Sequence, residues 1–98
     1  MKITKQIEDS KAILTLEGRL DTSTAPEFES VVKNTITDIS ELYLEFENLE
    51  YISSVGLRIL LMAQKTMNKR GKMVVKNANE TVKEIFEVTG FNTILTLE

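Results

Sequence analysis

The chain has 98 residues and contains neither cysteine nor histidine. Without thiols there is no disulfide framework, no thiolate nucleophile and no sulfur metal site. Without imidazole the usual general base and the commonest metal ligand are missing as well. Proline occurs once and glycine four times, and the chain holds no low-complexity tract, no linker and no glycine-rich loop that would cradle a phosphate. No apolar run approaches a membrane span, and Met1–Lys5 opens no uninterrupted apolar core of signal-peptide length. The expectation is a cytosolic, soluble protein with no membrane insertion. The formal charge of −3 and the few cations around residues 58–70 provide no basic stripe for nucleic acid.

What is present reads as one small domain over residues 1–98, long enough to bury most of the surface its unfolded chain would expose. Ile3, Lys5 and Ile7 alternate with Lys2, Thr4 and Gln6. After the turn residues Glu8 to Lys11, Ala12, Leu14 and Leu16 alternate with Ile13, Thr15 and Glu17, which makes a hairpin. Thr24-Ala25-Pro26-Glu27 fits a capping box with proline in the first helical turn. Phe28, Val31, Val32, Thr35 and Ile36 then form one buried helical stripe.

Leu42, Leu44 and Phe46 alternate with Tyr43 and Glu45 as a strand, Glu47 to Glu50 reads as a polar step, and Val55 to Asn68 as a helix. That helix stops at Asn68-Lys69-Arg70-Gly71, with cations in its last turn. Met73-Val74-Val75 is a short buried strand, Asn77 or Asn79 caps a helix whose inner face is Val82, Ile85 and Phe86, and Gly90 fits the left-handed position beyond it. Thr93 to Leu97 closes the chain as a last strand or a short terminal extension. The order β-β-α-β-α-β-α-β predicts an α/β fold whose mixed, mostly parallel sheet carries an N-terminal hairpin and helices mainly on one face.

Ser53 and Ser54 stand at the joint between the strand from Leu42 and the helix from Val55. Backbone N–H groups at a helix start have no partner inside the helix, and the macrodipole is positive there. Either hydroxyl is placed to cap them, and an anion on it would be tolerated. A hydrolase nucleophile sits at such a turn too, but the Gly-x-Ser-x-Gly pattern is absent and no histidine takes the proton. Glu45, Glu47 and Glu50 read as a solvated edge without the spacing of a metal cage. No enzyme activity, cofactor or metal is expected.

The string Leu49-Glu50-Tyr51-Ile52-Ser53-Ser54-Val55-Gly56-Leu57, following an alternating strand, resembles the phosphorylation segment of the STAS domains, the anti-sigma factor antagonists of bacteria. Gly18-Arg19-Leu20-Asp21 resembles the Gly-x-Leu-Asp step of that family, and Val88-Thr89-Gly90-Phe91 its late Thr-Gly step, so the resemblance covers essentially the whole chain. It implies that Ser54, two residues before Gly56-Leu57, is phosphorylated by a cognate anti-sigma factor serine kinase and restored by a serine phosphatase. Many members carry Asp where this chain has Ser53, which leaves Ser53 as the second choice. Asp21 matches an aspartate that lies near the modified serine and takes part in partner recognition; on local grounds it is a turn or helix-entry aspartate.

On a helical wheel Ser54, Arg58, Leu61, Met62, Lys65 and Lys69 share one side, opposite Gly56, Leu57, Leu60, Ala63 and Met67. The second group is core. The first is either a partner-binding surface or a face whose apolar members are covered by neighbouring helices. Gly56 lets another backbone come close, a partner's or one of the domain's own. The function expected is a phosphorylation-controlled anti-sigma factor antagonist that sequesters its kinase when Ser54 is free. The alternatives are an unphosphorylated scaffold subunit, for example a cytoplasmic partner of a membrane transporter, and a ligand-binding module.

Overall fold

The computed structural model describes all of residues 1–98. Strands β1 (Lys2–Glu8) and β2 (Lys11–Leu20) pair antiparallel. The two-residue turn between them holds Asp9 at φ 55°, a region that aspartate tolerates better than most residues. Helix α1 (Ala25–Thr35) then leads to β3 (Glu41–Ile52), helix α2 (Ser54–Asn68) to β4 (Lys72–Lys76), and helix α3 (Glu80–Thr89) to a single 3-10 turn at Phe91–Thr93. The sheet order is β1-β2-β3-β4, with β2, β3 and β4 parallel, as helical crossovers of this length require. No helix is long and apolar enough to cross a membrane.

Alternation decides where the core lies. Ala12, Leu14 and Leu16 of β2, Leu42, Leu44 and Phe46 of β3, and Met73 and Val75 of β4 share one face of the sheet. They pack into one cluster with Phe28 and Val32 of α1, Leu60, Ala63 and Met67 of α2, and Val82 and Phe86 of α3. On the other face Ile13, Thr15, Tyr43 and Glu45 stay partly exposed. The helices therefore cover one side. Asn79 caps α3, its side chain accepting from the Val82 N–H at 2.9 Å, while Asn77 bonds the Glu45 carboxylate instead. Gly90 ends α3 at φ 80°, the left-handed position that glycine takes without steric penalty.

Two expectations are corrected and one alternative is decided. Glu47 to Glu50 is strand, not a step: β3 runs unbroken to Ile52 beside the end of β2. From Thr15 to Leu20 β2 advances five residues while β3 advances seven from Glu45 to Ile52, with register shifts at Thr15/Glu17 and Gly18/Arg19. Each extra residue flips which side chains face the core. After Leu42, Leu44 and Phe46 the buried positions therefore become Leu49 and Ile52, and the polar letters between them mark bulges.

The capping box at Thr24 does not form. Its hydroxyl makes no cap bond to α1; it accepts from the Asp21 N–H at 2.9 Å and donates to the Arg19 carbonyl at 2.8 Å. Helix entry is tied down from the turn before it. Of the two readings of Thr93 to Leu97, the short terminal extension holds and a fifth strand does not form. The 3-10 turn uses up the first of those residues, and the remaining ones make a single parallel bridge, Val75 to Leu97.

At the end of the sheet where the parallel strands begin, the backbone is clamped. The Ser10 carbonyl accepts from Ser40 and Glu41 N–H at 2.8 and 3.1 Å, and the Ser40 carbonyl accepts from Lys72 N–H at 2.9 Å. Arg70 donates to the carbonyls of Ile36 and Thr37, both at 2.8 Å. Gly71 lies so near this clamp that a Cβ on it would overlap the Ser40 carbonyl oxygen. The obstacle is backbone, which cannot swing aside as a side-chain tip can. Gly71→Ala should lower the unfolding free energy by about 3 kcal/mol, read as a shift of the urea midpoint at unchanged m-value.

Candidate functional site

The opposite end of the sheet, where β2 and β3 finish, carries the serine pair. Leu20 and Ile52 are partners in the last rung, and the Ser53 N–H donates to the Leu20 carbonyl at 2.8 Å. Ser53 is extended, with φ −91° and ψ 173°, and its hydroxyl oxygen accepts from the Gly56 N–H at 3.4 Å. That is N-cap geometry with a long bond. Ser54 is the first residue of α2 and is exposed; its hydroxyl makes no hydrogen bond within the chain. One of the two hydroxyls is therefore engaged in the fold and the other is free.

Gly56 explains how the helix start can lie on the strand ends. It is buried, and a Cβ there would stand 2.8 Å from Ile52 Cγ1, 2.8 Å from Leu20 Cγ and 2.9 Å from Leu20 Cδ2. Of the two approaches open to this glycine, the structure shows the one inside the domain. It offers a partner no surface; it seats the serine joint on the core.

Asp21 lies directly beyond Leu20. Its Oδ1 accepts from Ser23 Oγ at 2.7 Å, from Ser23 N–H at 3.0 Å and from Thr24 N–H at 3.2 Å. The Ser23 hydroxyl above all, with the two backbone N–H groups, holds the carboxyl below its ordinary range, against a smaller opposing effect of desolvation. Arg19 stands 4.0 Å from Asp21 Oδ2 and lies over the Tyr51 ring at 4.5 Å. This carboxylate organises the turn into α1, which begins one residue after the carbonyl that holds Ser53.

The face assigned to α2 divides in two. Ser54, Arg58, Lys65 and Lys69 are exposed, whereas Leu61 and Met62 are half-buried. Met62 leans toward α1, where it lines a groove of about 330 Å³ together with Thr22, Ala25, Pro26, Glu29, Val55, Arg58 and Ile59. Leu61 lies outside that groove. Sequence reasoning did not find its α1 wall. The available signal was a second apolar stripe on α2, Val55, Ile59 and Met62 at helical spacing, beside the stripe that fills the core.

Residues 2–98 match the family model described as the STAS domain. The chain is 32% identical over 97 residues to the Bordetella bronchiseptica protein BtrV, assigned as an anti-sigma factor antagonist, which covers 96% of this chain and 83% of BtrV. It is 29% identical over 80 residues to the anti-sigma-B factor antagonist of Staphylococcus aureus, covering 80% and 74% of the two chains. Among solved structures, an anti-sigma factor antagonist from Mycobacterium paratuberculosis superimposes with a TM-score of 0.89 at 22% identity, covering 98% of this chain and 83% of that one. Unphosphorylated SpoIIAA gives 0.85 at 17% identity, over 99% and 88%. Phosphorylated SpoIIAA of Bacillus gives 0.77 at 16% identity, over 99% and 91%. These superpositions establish a shared fold.

The division between the two serines sets their effects on stability. Ser53→Ala should destabilise the domain by about 0.5–1 kcal/mol through loss of its cap, and Ser54→Ala should stay within about 0.5 kcal/mol of the native chain, both by urea denaturation. Ser23→Ala should raise the Asp21 pKa toward its ordinary value in a carboxyl-detected NMR titration. Because that pKa is depressed in the folded chain, the stability the turn contributes is present above the unfolded value and is lost as pH falls through the folded one. The Ser23→Ala protein should accordingly lose less stability than the native chain on acidification across that window.

Proposed function

The chain belongs to the STAS domain family, and from that membership we propose that it is an anti-sigma factor antagonist controlled by phosphorylation at Ser54. Unphosphorylated, it binds an anti-sigma factor with serine-kinase activity and frees the sigma factor. The kinase transfers the γ-phosphoryl group of ATP to the Ser54 oxygen: the new O–P bond forms as the bond to the departing ADP breaks, and the hydroxyl proton leaves. A serine phosphatase hydrolyses the ester and restores binding. The chain itself supplies a binding surface and a substrate hydroxyl, not a catalytic centre, and it acts in the cytoplasm. The observation that carries this reading is the free, exposed hydroxyl of Ser54 beside a neighbour already engaged as a cap.

The phosphate adds roughly −1.5 to −2 charges and three acceptor oxygens. It arrives where unpaired N–H groups and the positive end of α2 favour an anion, so the domain stays folded. Arg58 stands four residues on, one turn along the same face. A phosphate on Ser54 draws that guanidinium to itself and repels the carboxylates of any partner docked there. Arg58, Leu61, Met62 and Lys65 form the docking surface beside it, and Asp21 shapes the neighbouring turn.

Incubation with ATP and the cognate anti-sigma factor kinase, followed by peptide mass spectrometry, should place one phosphate on Ser54 and none on Ser53. Ser54→Asp should abolish kinase binding in calorimetry and leave the melting temperature within about 4 °C of the native value. Kinase binding by Ser54→Asp as tight as native would sink the switch. A chain that no kinase modifies would point to a scaffold subunit.

A further inference from the structure

The groove between α1 and α2 shares Arg58 and Met62 with the docking surface beside Ser54, and a switch built on the serine alone leaves its apolar floor without a purpose. Helix α2 contains no aspartate or glutamate from Ser54 to Asn68, although the whole chain carries a net charge of −3. Its exposed cations Arg58 and Lys65, and Lys69 just beyond, take part in none of the five ion pairs of the molecule, which use Arg19, Lys33, Lys72, Lys76 and Lys83. On the α1 side, Glu29 is already paired with Lys33 at 3.5 Å. The groove floor is apolar, with Ala25, Val55, Ile59 and Met62, and Arg58 stands at its rim.

Around the helix, the stripe Val55-Ile59-Met62 and the stripe Arg58-Lys65-Lys69 are adjacent. The cationic stripe extends about 16 Å along the axis. Unpaired cations in a line of that length, flanking an apolar trough, complement an amphipathic acidic helix better than a compact ligand.

We propose that this groove is the anchor site of the antagonist, taking a large apolar side chain from a helical segment of the partner whose carboxylates, spaced at helical intervals, meet Arg58, Lys65 and Lys69. The inference rests on the reading of this surface as the docking face and adds the chemistry of the segment that docks. It also assigns a purpose to Pro26, which presents a small, rigid wall at the start of α1. Ser54 lies one turn from Arg58, at the end of the trough, so its phosphate opposes the first carboxylate of the segment.

The test uses ¹⁵N-labelled native protein and two blocked synthetic helical peptides of about four turns. The peptides share a row of leucines and differ only in carrying Glu or Lys beside that row. The acidic peptide should shift the amide signals of Ala25, Val55, Ile59 and Met62, and bind at least about tenfold more tightly than the basic one. Arg58→Glu, an exposed substitution that leaves the core untouched, should remove that preference. Met62→Glu should weaken both peptides at an unchanged circular dichroism spectrum. Equal binding of the two peptides, shifts that map elsewhere, or no binding at millimolar peptide would each overturn the groove.

The switch and the groove fail separately. If Ser54→Asp binds the kinase as tightly as the native chain while the acidic peptide still maps to the groove, the switch falls and the groove stands. If the native chain ignores the peptide while kinase binding still responds to Ser54→Asp, the switch stands and the groove falls.

Discussion

The whole upper end of the molecule depends on a missing methyl group. Gly56 allows the first turn of α2 to rest on Leu20 and Ile52, the terminal rung of the parallel pair β2–β3. With the helix start seated that low, the Ser53 backbone reaches the Leu20 carbonyl, its side chain turns back onto the Gly56 N–H, and Ser54 is left outside. The same contact sets the height of α2 against α1, and so the depth of the groove that Met62 and Ile59 floor. Core packing and site geometry are here one constraint.

Electrostatics adds a second layer to that scaffold. The domain is acidic overall, yet it concentrates unpaired cations on the outer face of one helix and leaves that helix without a single carboxylate. Such a surface attracts anionic partners over a range set by the Debye length, about 8 Å at physiological salt. An anion added at the exposed N-terminal end of the same helix would alter the local field without touching a buried side chain. Charge on this face is thereby separated from stability, which resides in the cluster beneath.

Much of the architecture was legible in the alternation of residues. Leu42, Leu44 and Phe46 announced a strand with one buried face, Phe28 to Ile36 a one-sided helix, and Gly90 a left-handed stop. What could not be read was pairing. Glu47, Asn48 and Glu50 look like a loop because two extra residues break the period of β3, and only the opposing strand reveals that the ladder continues. Both serines satisfied the local rules for a cap; their division of labour depends on where β3 ends. Thr24 fits a capping box by its letters, but the carbonyl of Arg19 and the amide of Asp21 claim its hydroxyl first. The groove belongs to two helices at once, and no single stretch of sequence contains it.

The clamp of Ser10, Ser40, Lys72 and Arg70 gives the molecule a firm base at the end of the sheet opposite the serine pair. Because the chain is free of cysteine, a lone thiol introduced at the exposed Asp38 would be the sole handle for a dye, a bead or a sensor chip. Tethered by that foot, every copy would stand the same way up, with the serine joint and the trough beside it facing the liquid.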